Sequence, residues 1–454
     1  MNIIIAGDGK VGSALTRQLS SEGYDITVID TNSQVLEHSV ERYDVMSVQG
    51  NCASMDVLIS AGVKDADLLI AATNRDEVNL LCCTVAHGIN PRLHTIARIR
   101  NPEYDEQIFT MRNIFGLSMT INPERRAATE IERLLKFPGF LRRDVFAKGR
   151  TEIVELKIDK GSKLLGVKLM DMPGIIKCRV LICAVLREGV AMVPNSGNFT
   201  FREGDRVFVT APTKNLSTLL KSLGIITRRV RSVLICGAGK VCYYLASALL
   251  KSGMDVKILE RNPERCSEMK ALLPDADVIL GDAGDAEQLE EEGLRNFDAL
   301  VTLTGEDEVN MIVSLYAANA GVPQVVTKLG HAGNRSILDT LNLGSVVCPK
   351  DLVVSNIVRY VRAMQNQTGA AVSVHSIADG QVEAMEFTVD KNTRNCGVPL
   401  KELKPKPNVL VAGITHGAWT EIPNGDSMFH KGDSVVVVVT RSDTTVRQLN
   451  DCFE

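Results

Sequence analysis

The sequence predicts an α/β fold: two doubly wound parallel-sheet Rossmann-like domains, each followed by a small α+β domain, in tandem. Three observations predict it. The chain repeats itself at a displacement of about 230 positions, each repeat opens with a β-branched run ending in a glycine loop, and short β-branched runs then alternate with amphipathic helical patterns.

The repeat comes first because it organises everything else. Ile3 to Val11 matches Val233 to Val241, and later landmarks keep the displacement: Asp30 with Glu260, Gly50-Asn51 with Gly281-Asp282, and Asp76-Glu-Val-Asn79 with Asp307-Glu-Val-Asn310. The match runs on into Gly204-Asp205 against Gly432-Asp433, so each repeat holds two modules. In the first module Asn2–Ala6, Asp25–Ile29, Asp44–Val48, Leu68–Ala72 and His94–Ile99 read as strands. Val11, Ala14, Leu15 and Leu19 fall at helical spacing between the first two, and such alternation implies right-handed βαβ units and a parallel sheet. Pro123 suits a first helical position, with Ile131, Leu134 and Leu135 on one face of the helix to Lys136, and Pro349 to Ala363 repeats the arrangement. These helices are candidates to bridge modules or subunits. From about Arg150 to Gly224 the texture changes to short alternating strands, Ile153–Ile158, Val180–Val185 and Val207–Thr210, and Glu383 to Val439 behaves likewise. The expected domains are 1–140 and 231–364 for the Rossmann modules and 141–225 and 370–454 for the small ones, with Thr227 to Arg231 as linker.

Length and composition agree with this division. At 454 residues the chain exceeds one ordinary core, and about 150 residues per domain points to three or more. With 45% hydrophobic and 23% charged residues, composition favours neither disorder nor membrane embedding. The net charge of −4 lacks the basic excess of a nucleic-acid-binding face, so no nucleic-acid partner is expected, and membrane association should run through a protein. The apolar run Met1 to Ala6 passes into Gly7-Asp8-Gly9 with no basic segment and no cleavage site, so no secretion signal is expected. Val309 to Thr327 is uncharged but is interrupted by Gly321 and Pro323, which disqualifies it as a bilayer span. Eleven cysteines without C-x-x-C spacing fit reduced thiols in a cytosolic compartment, and Cys82-Cys83 fits packing inside a helix.

Gly7-x-Gly9-x-x-Gly12 follows a strand and opens a helix, and Asp30 ends the next strand. Each piece has a physical task in holding a dinucleotide or adenine nucleotide. Gly7 allows the tight turn, Gly9 lets a pyrophosphate approach the backbone, Gly12 lets helix and strand pack closely, and the helix start through Asp8, Lys10 and Val11 offers amide donors. Asp30 would accept from ribose hydroxyls. Asn51, Thr73, Asn74 and Arg98 each follow or end a strand at its carboxyl side, the ligand edge of an open α/β sheet. For Asn51 and Thr73 the alternative is capping of the following helices, and for Arg98 a solvated strand-end charge, although Lys328 occupies its counterpart. The second loop, Gly237, Ala238, Gly239, Lys240 and Val241, departs from the pattern because Cys242 stands where the third glycine should be. Glu260 preserves the ribose acid, and Asp282 and Thr304 complete the second set. This site is expected to bind more weakly, to bind another nucleotide, or to be vestigial.

Hydride transfer would need a proton donor and a substrate cradle beside the cofactor. No such constellation is present. His38, His87 and His94 fall near helix or strand ends and His375, His416 and His430 in the small modules, where structural or exposed roles are expected. There is no H-E-x-x-H, no Walker loop and no paired Cys/His spacing, so neither catalysis nor a metal is expected.

In its order of glycine-loop module, small module, then both again, the chain resembles the tandem RCK/KTN family of cytosolic regulators of Trk potassium uptake; the residues carrying the likeness are Ile3 to Gly12 and Val28 to Asp30. The resemblance covers essentially the whole chain. It implies NAD(H) in the Rossmann clefts, with ATP or ADP also open. It further implies four chains forming a ring of eight RCK units beneath a membrane-embedded potassium-translocating subunit, on the cytoplasmic face of the inner membrane. A regulator of another cation channel or antiporter and an NAD-dependent dehydrogenase are the rival readings.

Overall fold

The computed structural model describes residues 1–454 apart from 137–139, 195, 225–228, 331–340, 342, 365–370, 441–445 and 447. Thr227 and Arg228 of the expected linker lie outside the described residues. The first half begins β1 (Asn2–Ala6), α1 (Gly12–Ser21), β2 (Asp25–Asp30), α2 (Ser33–Arg42), β3 (Met46–Gln49), α3 (Met55–Ser60) and β4 (Leu68–Ala71). It continues with α4 (Asp76–Ile89), β5 (His94–Arg98), α5 (Asp105–Met111), β6 (Met119–Ile121) and α6 (Pro123–Lys136). Its small module holds β7 (Arg142–Phe146), β8 (Thr151–Lys157), α7 (Met172–Ile175), β9 (Leu181–Arg187), β10 (Val190–Met192), β11 (Arg206–Pro212) and α8 (Leu216–Leu223).

The second half repeats this plan. Its Rossmann module runs β12 (Ser232–Cys236), α9 (Lys240–Lys251), β13 (Asp255–Glu260), α10 (Pro263–Leu272), β14 (Asp277–Leu280), α11 (Ala286–Glu291) and β15 (Ala299–Thr302). There follow α12 (Asp307–Asn319), β16 (Gln324–Lys328), β17 (Ser345–Val347) and α13 (Pro349–Met364). The second small module contains β18 (Ala371–Ile377), β19 (Val382–Thr388), β20 (Val409–His416), β21 (Trp419–Glu421) and β22 (Ser434–Thr440).

Both Rossmann sheets are parallel, in the orders β3-β2-β1-β4-β5-β6 and β14-β13-β12-β15-β16-β17. Helices cover both faces, so Ile3, Ile4, Ile5 and Ala6 are all buried and the strand reads as an unbroken apolar run. The order reverses between β1 and β4, and between β12 and β15, and each glycine loop sits at that switch point. The small modules are antiparallel sheets of matching topology, β10-β9-β11-β8-β7 and β21-β20-β22-β19-β18.

The two proline-led helices bridge the modules. On α6, Ala127, Ile131, Leu134 and Leu135 form one apolar face, and it is buried in the core of the second Rossmann module with Leu245, Leu249 and Val256. Reciprocally, Val353, Ile357, Val358 and Val361 of α13 join Leu15, Leu19 and Ile26 in the core of the first. A fully buried aliphatic side chain contributes about 1.5–3 kcal/mol, so these two faces are a major share of what joins the halves. Arg362 of α13 adds a bidentate pair to Glu22, at 2.7 and 3.0 Å. The two small sheets also share a core, in which Phe146, Phe208 and Leu186 meet Ile377, Val382 and Val438.

A polar contact crosses that seam, where His375 Nδ1 lies 3.0 Å from Asp144. Burial alone would push the Asp144 carboxyl up, but the Arg142 guanidinium beside it, together with His375, holds it below the usual carboxylate range. A depressed folded value means that this stabilisation is complete above the unfolded value near 3.8 and is lost as pH falls below it. Asp144→Asn should therefore flatten the acid limb of the unfolding profile below pH 4; an unaltered limb would show that the pairing contributes nothing. Ile131→Ala and Ile357→Ala should each cost about 2–5 kcal/mol in denaturant unfolding, because each leaves a cavity in the other half's core.

Candidate functional site

The first glycine loop is held by its backbone. Gly7 adopts φ +93°, and a Cβ there would lie 2.8 Å from the Thr73 backbone. A Cβ on Gly12 would come within 1.9 Å of the Gly7 carbonyl oxygen, so helix and loop approach at a distance no side chain permits. At Gly9 a Cβ would meet nothing within 4 Å, and the space in front of this peptide is open. No side chain caps α1, whereas α2 is capped by Asn32; the Ser13 amide bonds the Gly9 carbonyl at 2.9 Å, and an anion at the open face would meet a helix start that no side chain occupies.

Asp30 braces the loop. Its carboxylate accepts the Asp8 amide at 2.7 Å and the Asn32 amide at 2.9 Å. A carboxylate has about four lone-pair sites, which leaves capacity for two sugar hydroxyls. The Asp8 side chain points inward instead, buried against the hydroxyls of Ser39 and Thr16, and burial raises its pKa. Lys10 is exposed and Val11 is buried in the core under the loop.

At the neighbouring strand ends the structure gives several expected residues local tasks. The Asn51 side chain accepts from the Ala53 amide at 3.0 Å, forming the turn into α3, and Asp282 does the same for Gly284 at 2.8 Å. The Thr73 hydroxyl donates to Asn79 Oδ1 at 2.7 Å, and Thr304 donates to Asn310 at 2.8 Å. Asn74 is exposed, with its carbonyl accepting from Arg100. Arg98 is largely buried and lies 3.8 Å from Glu124; burial lowers its pKa, and Arg98 Nε and Glu124 Oε2 have no hydrogen-bond partner among the described residues. Donor and acceptor capacity is thus left over at the cleft. Lys328, its counterpart, donates to the Thr304 carbonyl at 2.6 Å, and its pKa is lowered by burial.

Sequence reasoning assigned no role to the residues that tie this edge together. Asn79 is fully buried and binds the Thr73 amide at 2.9 Å and the Arg98 carbonyl at 2.8 Å, and Asn310 repeats both contacts with Thr304 and Lys328. Asp76 accepts the Arg100 and Asn101 amides at 2.7 and 2.8 Å, and Asp307 accepts that of Gly330. The signal was present in the repeated Asp-Glu-Val-Asn run, which fixes strand-end geometry.

The second loop differs in the way its sequence suggests. Gly237 is at φ +104° and Gly239 again faces open space, while Glu260 accepts the Ala238 and Asn262 amides at 2.6 and 2.9 Å. Its helix starts at Lys240, two positions earlier than the start of α1 in the aligned repeat, and Val241 and Cys242 are buried in the core below. Burial raises the Cys242 thiol well above its usual range, so it packs as an apolar group.

Residues of the two clefts lie close to one another. Lys328 feels the charges of Glu124 and Lys10 from the first half, and Lys240 acts on Glu77, whose carboxyl is lowered chiefly by its backbone and the Tyr104 hydroxyl. Tyr244 of α9 accepts from Asn122 at 3.0 Å and donates to the Arg100 carbonyl at 3.3 Å. A larger cavity, about 1170 Å³, lies away from the loops between α6, α13 and the small sheets and is lined by Arg126, Arg133, Arg142, Arg143 and Arg359 among others. Most of those guanidiniums are committed to carboxylates such as Asp144 and Glu152, so the glycine loops remain the better-formed anion site. Gly12→Ala should distort the first loop and weaken nucleotide binding there by about tenfold or more, while Cys242→Ala should leave the second loop's binding nearly unchanged; equal effects in calorimetric titration would contradict the different packing of the two loops.

The family pattern of the TrkA-N domain matches residues 3–123 and 233–349, and that of the TrkA-C domain matches 153–224 and 384–449. The chain is 31% identical over 438 residues to the Trk system potassium uptake protein TrkA homolog of Archaeoglobus fulgidus, covering 96% of this chain and 97% of that one. Among solved structures it is similar to the GsuK channel bound to NAD, with a TM-score of 0.60 at 17% identity over 97% of this chain and 76% of that one. It is also similar to GsuK bound to ADP, with a TM-score of 0.51 at 15% identity over 80% and 69%. At such identities the structural likeness establishes the fold. The full-length match to a relative and the paired domain patterns together establish that this chain belongs to the TrkA family.

Proposed function

We propose that this chain is a regulatory subunit that binds NAD(H), or an adenine nucleotide such as ATP or ADP, in its Rossmann clefts and gates a membrane-embedded potassium-translocating partner of the Trk type. The observation that carries the reading is the first glycine loop. Its uncapped helix start and open approach at Gly9 suit a pyrophosphate, and the spare lone pairs of Asp30 suit the adjoining ribose. The names of the relatives, which place them in the Trk system, supply the partner. In this reading four chains form a ring of eight units on the cytoplasmic face, the whole set from Gly7 to Thr304 lines the two sites, and the expected domain limits stand as proposed.

The route from site to partner is a difference in affinity. A ligand shifts an equilibrium only by as much as it prefers one state. Because Tyr244 of α9 bonds Asn122 and the Arg100 carbonyl of the first half, and because Lys328 lies within reach of the charges of Glu124 and Lys10, a phosphate brought to the first loop would change the field at the second. The bridging helices make the relative placement of the two modules a property of both, which is the element such a ligand would bias.

Calorimetric titration with NAD, NADH, ATP and ADP tests the reading. Asp30→Ala removes a charged acceptor, a loss of about 1.5–3 kcal/mol, and should weaken binding at the first site about ten- to hundredfold. In vesicles containing the partner, potassium flux should respond to nucleotide with the native chain and lose that response at the first site with Asp30→Ala. Flux indifferent to both would defeat the proposal, and steady oxidation of NADH by the isolated chain would replace it with an enzymatic one.

A further inference from the structure

The two small modules treat one buried carboxylate differently. Asp205 and Asp433 follow equivalent glycines, Gly204 at φ +86° and Gly432 at φ +94°, and both are buried. Each accepts the amide three residues upstream, from Arg202 at 2.8 Å and from His430 at 2.6 Å. In the first module Arg187, the last residue of β9, donates to both Asp205 oxygens at 2.7 Å. In the second, His416 holds that place at the end of β20, opposite Trp419 in the hairpin as Arg187 is opposite Val190. At both positions the second module has a histidine where the first has an arginine, of which Arg187 pairs with the carboxylate through its side chain and Arg202 through its backbone amide. A guanidinium has no lone pair to offer and keeps its proton, whereas a neutral imidazole is the commonest nitrogen ligand for a metal.

We infer that His416, His430 and Asp433 bind a divalent transition-metal ion of the zinc class, in the second small module only. His416 Nδ1 lies 2.8 Å and His430 Nδ1 3.8 Å from Asp433 Oδ2, and one ligand atom from each residue falls within 4.8 Å of the others. Donors about 2.0–2.2 Å from a tetrahedral ion stand roughly 3.3–3.5 Å apart, so small side-chain rotations suffice. Trp419 stacks on the His416 ring at 5.2 Å and 18°, fixing its plane. Glu421 lies 3.7 Å from the other nitrogen of His416, where a carboxylate orients a metal-bound imidazole. The His430 side chain is 62% exposed, which gives the ion an entry path and leaves a fourth position to water. Two nitrogens and one carboxylate suit zinc, nickel or copper and disfavour calcium or magnesium, which prefer oxygen. The residues escape a motif search because a hairpin end and a distant turn bring them together.

The inference is independent of nucleotide binding and is tested on the full chain after dialysis against a chelator. Zinc titrated by calorimetry should bind at one ion per chain with this set, and cobalt at the same site should give visible bands of nitrogen and oxygen ligation without a thiolate charge-transfer band. His416→Arg, which recreates the first module's ion pair, and His430→Ala, which alters an exposed side chain, should each weaken binding at least about tenfold, and Glu421→Gln by roughly tenfold. Circular dichroism establishes that each variant is folded; His430→Ala decides the matter should His416→Arg not fold. Zinc binding unchanged in the folded variants, or no binding up to about 1 mM, overturns the site and leaves an ordinary histidine–aspartate hydrogen bond.

Discussion

The exchange of apolar helices between the halves is the constraint on which the rest of the molecule depends. Without α6 the second Rossmann module would expose the surface around Leu245 and Leu249, and without α13 the first would expose Leu15 and Leu19. Neither glycine loop would then have a firm support, since α1 and α9, which those loops open, are the helices covered by the exchange. The same packing brings Glu124 and Lys10 of the first half within electrostatic reach of Lys328 in the second. Structure and placement of the sites thus share one set of buried side chains.

Much of this architecture was legible in the residues. Gly7 and Gly12 marked a loop whose tightness requires the absence of side chains, Gly9 marked its open approach, and unbroken apolar runs such as Ile3 to Ala6 marked strands buried on both faces. Strand limits drifted by one to two positions, as for β3, which starts at Met46 rather than Asp44, because local pattern does not register where the ladder begins. What could not be read were long-range tasks. Asp76 and Asn79 stood out only as landmarks of the repeat, and the fold reveals that they bind the ends of β4 and β5. Likewise Arg98 read as a basic group near phosphate or a solvated strand-end charge, while the fold places Glu124 beside it from α6, a helix that lies after one further strand, β6.

Duplication followed by divergence gives the chain internal controls. Cys242 replaces Gly12 where the second helix starts earlier, and His416 and His430 replace Arg187 and Arg202 around an otherwise equivalent aspartate. Around the aspartate the backbone contact is kept while the side-chain chemistry changes; at the loop the helix start moves with the side chain. Position-by-position comparison within one molecule therefore separates what the scaffold requires from what a particular site has acquired.

A chain whose halves each finish the other's interior is, in effect, a homodimer fused end to end. Cleaved between Gly224 and Arg229, it should yield fragments that recombine when mixed, each seeking the missing helix in its complement. A fragment kept alone would present a greasy trough and a greasy rod on the same body, and two identical fragments could satisfy one another reciprocally. The fused form secures unlike pairing, so a change in one copy need not be matched in the other.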